Sequence, residues 1–232
     1  MRIVIFGANG PTGRLLTAQA LAEGHDVTAF TRHPDAFPLV HPQLWLAPGD
    51  VLEAADVRRA VAGHDVVLST LGVPFGREPI SVYSVGGRHI VDAMRAQGVE
   101  RFACVTSSVC EPNPGRTGGL VFDKVVQPLV VNTIGRTLYD DMRRLEEIVS
   151  GSELAWTIVR PSGLFDAEGV TAYRTGERHL AEKFTSRADL ADCLLRQATD
   201  DTWVRKAVAV ATVAVKPSMV QLIWREGLRK SA

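Results

Sequence analysis

The chain lacks the composition that several classes of protein need. It has three cysteines in 232 residues, and its 26 basic residues balance its 26 acidic ones. Cysteines in odd number and without metal-type spacing predict reduced thiols and no zinc site, as in a cytoplasmic protein. Zero net charge gives no indication of a nucleic-acid or membrane partner. No apolar run approaches the roughly 20 residues of a membrane span, and a strand predicted from residue 3 leaves no space for a signal peptide.

One segment near the amino terminus carries most of the functional information. Residues 3–13 read IVIFGANGPTG, a β-branched apolar run followed by three glycines and then an apolar helix. In a dinucleotide-binding turn the first glycine permits the turn, the second admits the phosphates, and the third packs helix on strand. The helix N-terminus offers unpaired N–H groups to the anion, and proline suits the first helical position because it has no N–H. The motif therefore predicts a diphosphate site formed by Gly7, Gly10, Pro11 and Gly13.

Strand and helix patterns alternate along the rest of the chain. After the first strand, the predicted strands are 25–31, 43–47, 65–69, 101–106, 155–159 and 207–212. After the first helix, the predicted helices are 53–61, 81–97, 138–149, 186–198 and 218–228, with two short helical pieces in 120–131. This alternation predicts an α/β fold of the Rossmann type, a doubly wound parallel sheet with helices on both faces. With no repeat or linker, residues 1–232 are expected to form one domain, as a monomer or a homodimer.

Two helix caps are expected from the residues before the helices. Asp50 lies close enough to the start of the second helix to cap it. Ser186 is expected to cap the helix 186–198, with Asp189 three residues later acting as a variant of the capping box.

The end of the second strand indicates which dinucleotide is bound. An acidic residue at this position binds the ribose 2′-hydroxyl of NAD, whereas a cation accommodates the 2′-phosphate of NADP. Here the strand ends in Thr31 and Arg32, and the planar guanidinium suits a phosphate. An ordinary solvated loop charge is the alternative interpretation of Arg32. We expect NADP(H) to be preferred over NAD(H).

Several segments resemble atypical short-chain dehydrogenases. The segments are GANGPTG, the strand end Thr31-Arg32, GDVLEAADVRRAVAGHDVVLSTLG at 49–72, CVTSS at 104–108 and WTIVRP at 156–161. Within that family the chain is similar to the flavin reductase/biliverdin-IXβ reductase group and to its NmrA-like bacterial relatives. The resemblance extends from residue 2 to about residue 212 and is looser at 111–135 and 163–185.

The resemblance implies a set of cofactor contacts at the carboxyl ends of the strands. The implied diphosphate contacts are Gly7, Asn9, Gly10 and Thr12, with Arg32 at the 2′-phosphate. Asp50 and Val51 would border the adenine, and Leu71 and Gly72 would let the adenosine half pass close to the backbone. Ser107, Pro161 and Ser162 would lie near the nicotinamide.

The catalytic residues follow the family pattern only in part. Typical members pair a tyrosine with a lysine four residues later, which lowers the pKa of the tyrosine so that it can move a proton. Counting back from WTIVRP places Tyr139 and Arg143 at these positions, and arginine is a different partner because it stays protonated. The alternative is a solvated helix surface with ordinary ion pairs, carried by Asp140, Asp141, Arg143, Arg144, Glu146 and Glu147.

The flavin-reductase resemblance implies a reaction without an acidic tyrosine. A flavin or quinone accepts hydride at a ring atom and takes its proton from water, so the protein mainly holds donor and acceptor together. Ser107 would then be a polar contact to the nicotinamide or the acceptor, unless it only forms a turn after its strand.

Three functions are compatible with these features. The first is an NADPH-dependent oxidoreductase acting on a flavin, quinone or similar small conjugated acceptor. The acceptor pocket would be built by 74–80, 111–120 and 163–183. The second is a non-catalytic, NADP(H)-sensing regulator of the NmrA-like kind. The third is a sugar-nucleotide epimerase or dehydratase, although few residues follow WTIVRP for a substrate region.

Overall fold

A computed structural model describes residues 1–74, 76, 78–111, 135–177 and 180–215. The helical segments predicted at 120–131 and 218–228 lie outside these residues. Among the helices in the described part of the chain, none has the length and apolar character needed to cross a membrane.

Eight of the ten strands in the described residues form one sheet. The strands are β1 (Arg2–Phe6), β2 (Asp26–Thr31), β3 (Leu44–Pro48), β4 (Val66–Ser69), β5 (Arg101–Val105), β6 (Ala155–Pro161), β7 (Gly163–Phe165), β8 (Tyr173–Gly176), β9 (Phe184–Ser186) and β10 (Lys206–Thr212). The order in the large sheet is β3-β2-β1-β4-β5-β6-β10-β8, and β7 pairs with β9 in a separate parallel pair. The predicted parallel sheet is confirmed except at one edge, where β8 runs antiparallel to β10.

Helices cover both faces of the sheet, as the apolar strands require. The helices are α1 (Pro11–Ala22), α2 (Ala54–Val61), α3 (Val82–Gln97), α4 (Arg136–Ser150) and α5 (Arg187–Arg196). On one face α1 packs against α5, and on the other α3 packs between α2 and α4. Each face has its own apolar core, one including Leu16 and Leu190 and the other including Val57, Ile90 and Leu145. The doubly wound Rossmann-type fold is therefore confirmed.

A pair of glycines allows α3 to lie close to both of its neighbours. A Cβ on Gly86 would stand 2.8 Å from a methyl group of Val51, and one on Gly87 would stand 2.1 Å from Cδ1 of Leu145. Both distances are shorter than van der Waals contact, so any larger residue here would have to displace the side chain of Val51 or Leu145, or α3 itself.

The two expected caps have different outcomes. The Ser186 side chain accepts from the amide of Asp189 and caps α5 as predicted, but the reciprocal half of the capping box is wrong. The Asp189 carboxylate instead accepts from Thr171 and Thr212, while the amide of Ser186 donates to Thr212. The prediction that Asp50 caps α2 is also wrong, because its carboxylate accepts from the amide of Leu52, before the helix begins.

Candidate functional site

The glycine turn after β1 has the geometry that the motif predicts. Gly7 has a φ of +75°, and a Cβ there would lie 2.6 Å from the carbonyl oxygen of Thr70. A Cβ on Gly13 would lie 2.2 Å from the carbonyl oxygen of Gly7. Only glycine fits at either position, since the first requires a left-handed conformation and the second has no space for a methyl group. The turn therefore holds the start of α1 against the end of β1.

The N-terminus of α1 is suited to an anion. Pro11 occupies the first turn, which contains no acidic residue, and no side chain caps the helix at Gly10. Within the described residues, the amides of Thr12 and Gly13 form no hydrogen bond. Two free amides and the positive end of the helix dipole therefore face the cleft, and this arrangement fits a diphosphate.

Asn9 is held in the turn by a neighbouring arginine. Its side-chain oxygen accepts from Nε of Arg14 at 3.0 Å and from Nη2 at 2.7 Å. The pair fixes the orientation of the Asn9 amide and places a positive charge beside the first turn of α1. Arg14 thus adds to the positive potential where the diphosphate is predicted.

Arg32 lies at the carboxyl end of β2, next to the glycine turn, because β1 and β2 are paired from Arg2 to Phe6. Its side chain is exposed, and it has no ion pair with any residue in the described ranges. An arginine free of a carboxylate remains available for a phosphate. The position agrees with the predicted 2′-phosphate contact, which stays a prediction.

The residues predicted to border the adenine lie between β3 and α2. The amide of Asp50 donates to the carboxylate of Asp56 at 3.0 Å, and Val51 is buried. Nδ1 of His89 lies 3.0 Å from the carbonyl oxygen of Val51. Because a carbonyl oxygen only accepts, this ring nitrogen must carry a proton. Asp56 and His89, which the sequence did not single out, therefore hold this segment in place.

Leu71 and Gly72 follow β4 and lie at the carboxyl ends of the strands, as the glycine turn does. The amide of Thr70 donates to Phe6 at 2.9 Å, and its hydroxyl donates to the carbonyl of Gly7 at 3.2 Å. These bonds bring the segment after β4 alongside the glycine turn. Gly72 is exposed, so its backbone borders the cleft as the resemblance implies.

The residues predicted near the nicotinamide lie at the ends of β5 and β6. The Ser107 hydroxyl accepts from the amide of Val109 at 3.3 Å, at the start of a 3₁₀ turn formed by Ser108–Cys110. Pro161 is the last residue of β6 and is buried. The hydroxyl of the half-buried Ser162 donates to the carbonyl of Glu182 at 3.3 Å. The turn-forming interpretation of Ser107 and its predicted cofactor contact are both compatible with this geometry.

Arg143 lies four residues after Tyr139 on α4 and forms an ion pair within that helix. Nη1 of Arg143 donates to Asp140 at 2.9 Å, and the same carboxylate lies 3.7 Å from Nε of Arg136. The half-buried Arg143 guanidinium is therefore paired with a carboxylate of its own helix, and its predicted role beside Tyr139 stays a prediction. Tyr139 is half-buried and packs against the core between the sheet and α4.

The surface-helix interpretation of α4 is wrong for two of its carboxylates. Asp141 is fully buried, and Glu146 is 9% exposed. The Asp141 carboxylate accepts from the amides of Tyr83 at 2.9 Å and Ser84 at 3.2 Å, so it caps α3 from a neighbouring helix. The hydroxyl of Tyr83 in turn accepts from the amide of Val73 at 3.3 Å. Burial raises the pKa of Tyr83 to about 12.

Glu146 joins the ends of two strands. One carboxylate oxygen accepts from the hydroxyl of Thr106 at 2.7 Å and from Nε of Arg160 at 3.0 Å, and the other accepts from Nη2 of Arg160 at 2.6 Å. The periodicity of α4 contained the relevant signal, because 142, 146 and 149 fall on one apolar face.

Of the three segments predicted to build the acceptor pocket, 163–183 is described except for residues 178 and 179. Thr171 donates through its amide to the buried carboxylate of Asp189 at 2.6 Å, and Tyr173 donates to Asp192 at 2.5 Å. The start of α5 therefore anchors this segment. Only residue 111 of 111–120 is described, and residues 75 and 77 of 74–80 lie outside the description.

The cysteines contribute no reactive group. All three thiols are free and buried. Burial raises the pKa of Cys110 and of Cys193 to about 12, so both are protonated near neutral pH. In the described part of the chain no group of three or more His, Cys, Asp or Glu residues could hold a metal ion.

Comparison with known proteins gives one family. The family model described as NAD(P)H-binding matches residues 7–201. An uncharacterized chloroplastic protein of Arabidopsis thaliana is 31% identical over 173 residues, which cover 70% of this chain and 59% of that protein. The chain spans about half the length of the curated relatives it matches.

Solved structures share the fold. A short-chain dehydrogenase/reductase of Veillonella parvula in complex with NADP superposes with a TM-score of 0.76 and 19% identity, covering 94% of this chain and 99% of that one. The anaerobillin reductase ChuY of Escherichia coli O157:H7 gives a TM-score of 0.75 and 22% identity, covering 94% of this chain and 100% of the other.

Proposed function

Since the chain belongs to the NAD(P)H-binding family, we propose that it is an NADPH-dependent oxidoreductase that transfers hydride to a flavin, a quinone or a similar conjugated acceptor. The observation that carries this proposal is the uncapped start of α1, where free amides face the cleft beside a glycine turn that no larger residue fits.

The preference for NADPH rests on Arg32. Its guanidinium stands at the end of β2 without a carboxylate partner among the described residues, and the position has no acidic side chain for a ribose 2′-hydroxyl. Arg14 supplies a second positive charge on the same side of the turn. The NADP complex of the Veillonella parvula structure supports this choice of coenzyme through the shared fold.

The protein has mainly to bind and orient the two reactants. NADPH supplies a hydride, two electrons with one proton, and the acceptor takes its second proton from solvent. Ser107 would contact the nicotinamide or the acceptor through its hydroxyl, while Pro161 and Ser162 border the ring on the next strand. The segment anchored by Asp189 would close the acceptor side. Holding the reactants in contact in a site that excludes water provides most of the acceleration.

A second candidate is a regulator that binds the coenzyme without catalysis. Arginine at position 143, where typical members carry a lysine, favours it, because a permanently protonated group paired with Asp140 is a different partner for Tyr139. The fold shared with an anaerobillin reductase favours the catalytic function instead.

Oxidation of NADPH by the purified protein decides between the two functions. The absorbance of NADPH at its nicotinamide band would be followed with a panel of flavins, quinones, tetrapyrroles and aldehydes. We expect turnover with at least one conjugated acceptor, reduced in Ser107→Ala and retained in Tyr139→Phe. Binding of NADPH without turnover across the panel would refute the oxidoreductase and support the regulator. Loss in Tyr139→Phe alone would indicate acid catalysis by the tyrosine.

The coenzyme preference is tested by reversing one charge. Arg32→Asp should weaken NADPH binding at least tenfold and leave NADH binding unchanged or stronger, measured by calorimetry. Arg95→Asp is the matched control. Arg95 lies in the last turn of α3, near the amino ends of the strands and away from the predicted coenzyme site. Equal affinities of wild-type protein for the two coenzymes would refute the preference without affecting the family assignment.

A further inference from the structure

Glu146 lies behind the predicted nicotinamide site and bonds to both strands that form it. Its carboxylate accepts from Thr106, which directly precedes Ser107 at the end of β5. It also forms a two-point ion pair with Arg160, which directly precedes Pro161 at the end of β6. One side chain from α4 thus connects the residues that directly precede Ser107 and Pro161, two of the three residues predicted to lie near the nicotinamide.

The arrangement is buried enough to be rigid. Glu146 and Arg160 have side-chain exposures of 11% and 14%, and Thr106 is 4% exposed. A two-point ion pair fixes direction as well as distance, because both N–H groups of the planar guanidinium must meet both carboxylate oxygens. Three bonds of 2.6 to 3.0 Å therefore set the spacing between the ends of β5, β6 and α4.

We propose that Glu146 is a positioning residue that fixes the nicotinamide end of the cleft. The inference rests on the proposed function, because it assigns a role within the same site. Glu146 does not touch the coenzyme. It sets where Ser107 and Pro161 stand, and hence how the ring is presented to the acceptor. Hydride transfer depends steeply on this geometry, and a displacement of about 1 Å costs about 100-fold in rate.

The test compares two neighbouring glutamates. Glu146→Gln keeps the size of the side chain and an acceptor for Thr106, but it removes the charge that Arg160 requires. Glu147→Gln is the matched control, because Glu147 is the adjacent residue on α4 and is exposed. NADPH affinity, the fluorescence lifetime and anisotropy of bound NADPH, and the single-turnover rate would be measured for both variants.

We expect Glu146→Gln to bind NADPH within about threefold of wild type, because the diphosphate and adenine contacts lie on other strands. The bound nicotinamide should nevertheless show a shorter fluorescence lifetime and lower anisotropy, and hydride transfer should slow by about 100-fold. Glu147→Gln should match wild type in all three measurements. If Glu146 only stabilised the fold, Glu146→Gln would lower the melting temperature and leave the fluorescence lifetime of bound NADPH unchanged.

Thr106→Val keeps the test decisive if Glu146→Gln does not fold. It removes one hydrogen bond and retains the ion pair and the side-chain volume, so we expect the same changes with about a tenfold loss of rate. A wild-type lifetime and rate in the folded variant would overturn the proposal. The fluorescence measurement needs only bound NADPH, so a wild-type protein without turnover would refute the oxidoreductase while Glu146 could still be judged.

Discussion

Helices α1 and α3 both begin beyond the carboxyl ends of the strands, and the amides at their N-termini are treated in opposite ways. The start of α1 is uncapped, contains no acidic residue and follows a glycine turn. The start of α3 is closed by the fully buried carboxylate of Asp141, which comes from α4 and takes the amides of Tyr83 and Ser84. Both ends carry the partial positive charge of a helix dipole. The protein neutralises one of them internally and leaves the other for an anion from solution.

If the proposed function holds, this difference directs the diphosphate to the start of α1. The amides at the start of α3 would compete for a phosphate if they were free, since they also lie beyond the end of a strand. With Asp141 in place, the amides of Tyr83 and Ser84 are occupied, and α3 positions the segment after β4 through Tyr83. Three substitutions and one labelling experiment test this comparison, and they follow in order of decreasing expected effect.

Gly13→Ala should disrupt the uncapped N-terminus of α1. The added methyl group would meet the carbonyl oxygen of Gly7 at 2.2 Å, so α1 must move away from the turn. Overpacking of this kind costs about 3 kcal/mol. Because the displaced turn must return to its wild-type position to bind the diphosphate, that cost should appear as about a 100-fold loss of NADPH affinity by calorimetry. Gly169→Ala is the control, because nothing lies within 4 Å of a Cβ at that position. Wild-type affinity in Gly13→Ala would show that the turn is not the diphosphate site.

Asp141→Ala should remove the cap from the N-terminus of α3. It leaves two buried amides without a partner and should lower the free energy of unfolding by about 3 kcal/mol, measured with urea. Asp140→Ala serves as the control, since its carboxylate is 43% exposed and, among the described residues, pairs with Arg136 and Arg143, interactions worth about 0.5 kcal/mol. Similar losses in both variants would mean that the cap across the two helices contributes nothing specific.

Tyr83→Phe should separate capping from positioning. Asp141 would still hold the start of α3, but the amide of Val73 would lose the hydroxyl that accepts from it. Without that bond, ordering the segment after β4 around the coenzyme should cost about 1 kcal/mol on binding, a weakening of NADPH affinity of about fivefold. Tyr173→Phe also removes one half-buried hydroxyl bond, on β8, and should not change NADPH affinity. Equal affinities in the two variants would disprove a role for Tyr83 in this segment.

The reactivity of the Cys110 thiol should show that solvent is excluded from the apolar core that also contains Tyr83. Burial raises the pKa of its thiol to about 12, so at pH 8 only about one molecule in ten thousand carries a thiolate. We expect no reaction of native protein with a disulfide reagent at pH 8, and reaction of all three cysteines after unfolding. Reactivity should appear only as the pH rises towards 12. Fast labelling of one native thiol at pH 8 would contradict the burial of Cys110.

The sequence predicts the uncapped start of α1 well and the capped start of α3 poorly, for a physical reason. The glycine turn is local, so residues 3–13 contain its whole signal, and the structure confirms the turn, the proline at the first helical position and the packing of Gly13. The cap on α3 depends on Asp141, which lies 58 residues after Tyr83 in the chain. No periodicity or spacing connects two such residues before the fold brings them together.

The errors on α4 have a different cause. Its charged residues repeat at spacings of three and four, which is typical of a solvated surface, and the pairs of Arg143 and Arg144 do form. Positions 141 and 146 fall on the apolar face of the helix and position 140 does not, so the periodicity carried a signal that the surrounding charges obscured. By contrast, β8 is short and half-exposed, and its antiparallel pairing follows from a turn of the chain within 163–183 that has no sequence signature.

The two adjacent glycines of α3 have a consequence for protein engineering. Replacing helical glycines by alanine is a common route to heat-resistant variants, since each exchange is worth about 1 kcal/mol in an open position. At 86 and 87 the usual gain is unobtainable, because the methyl group of alanine would displace Val51 on one side and Leu145 on the other. A thermostabilisation campaign on this protein should therefore leave these two codons fixed and look for its gains elsewhere on the surface.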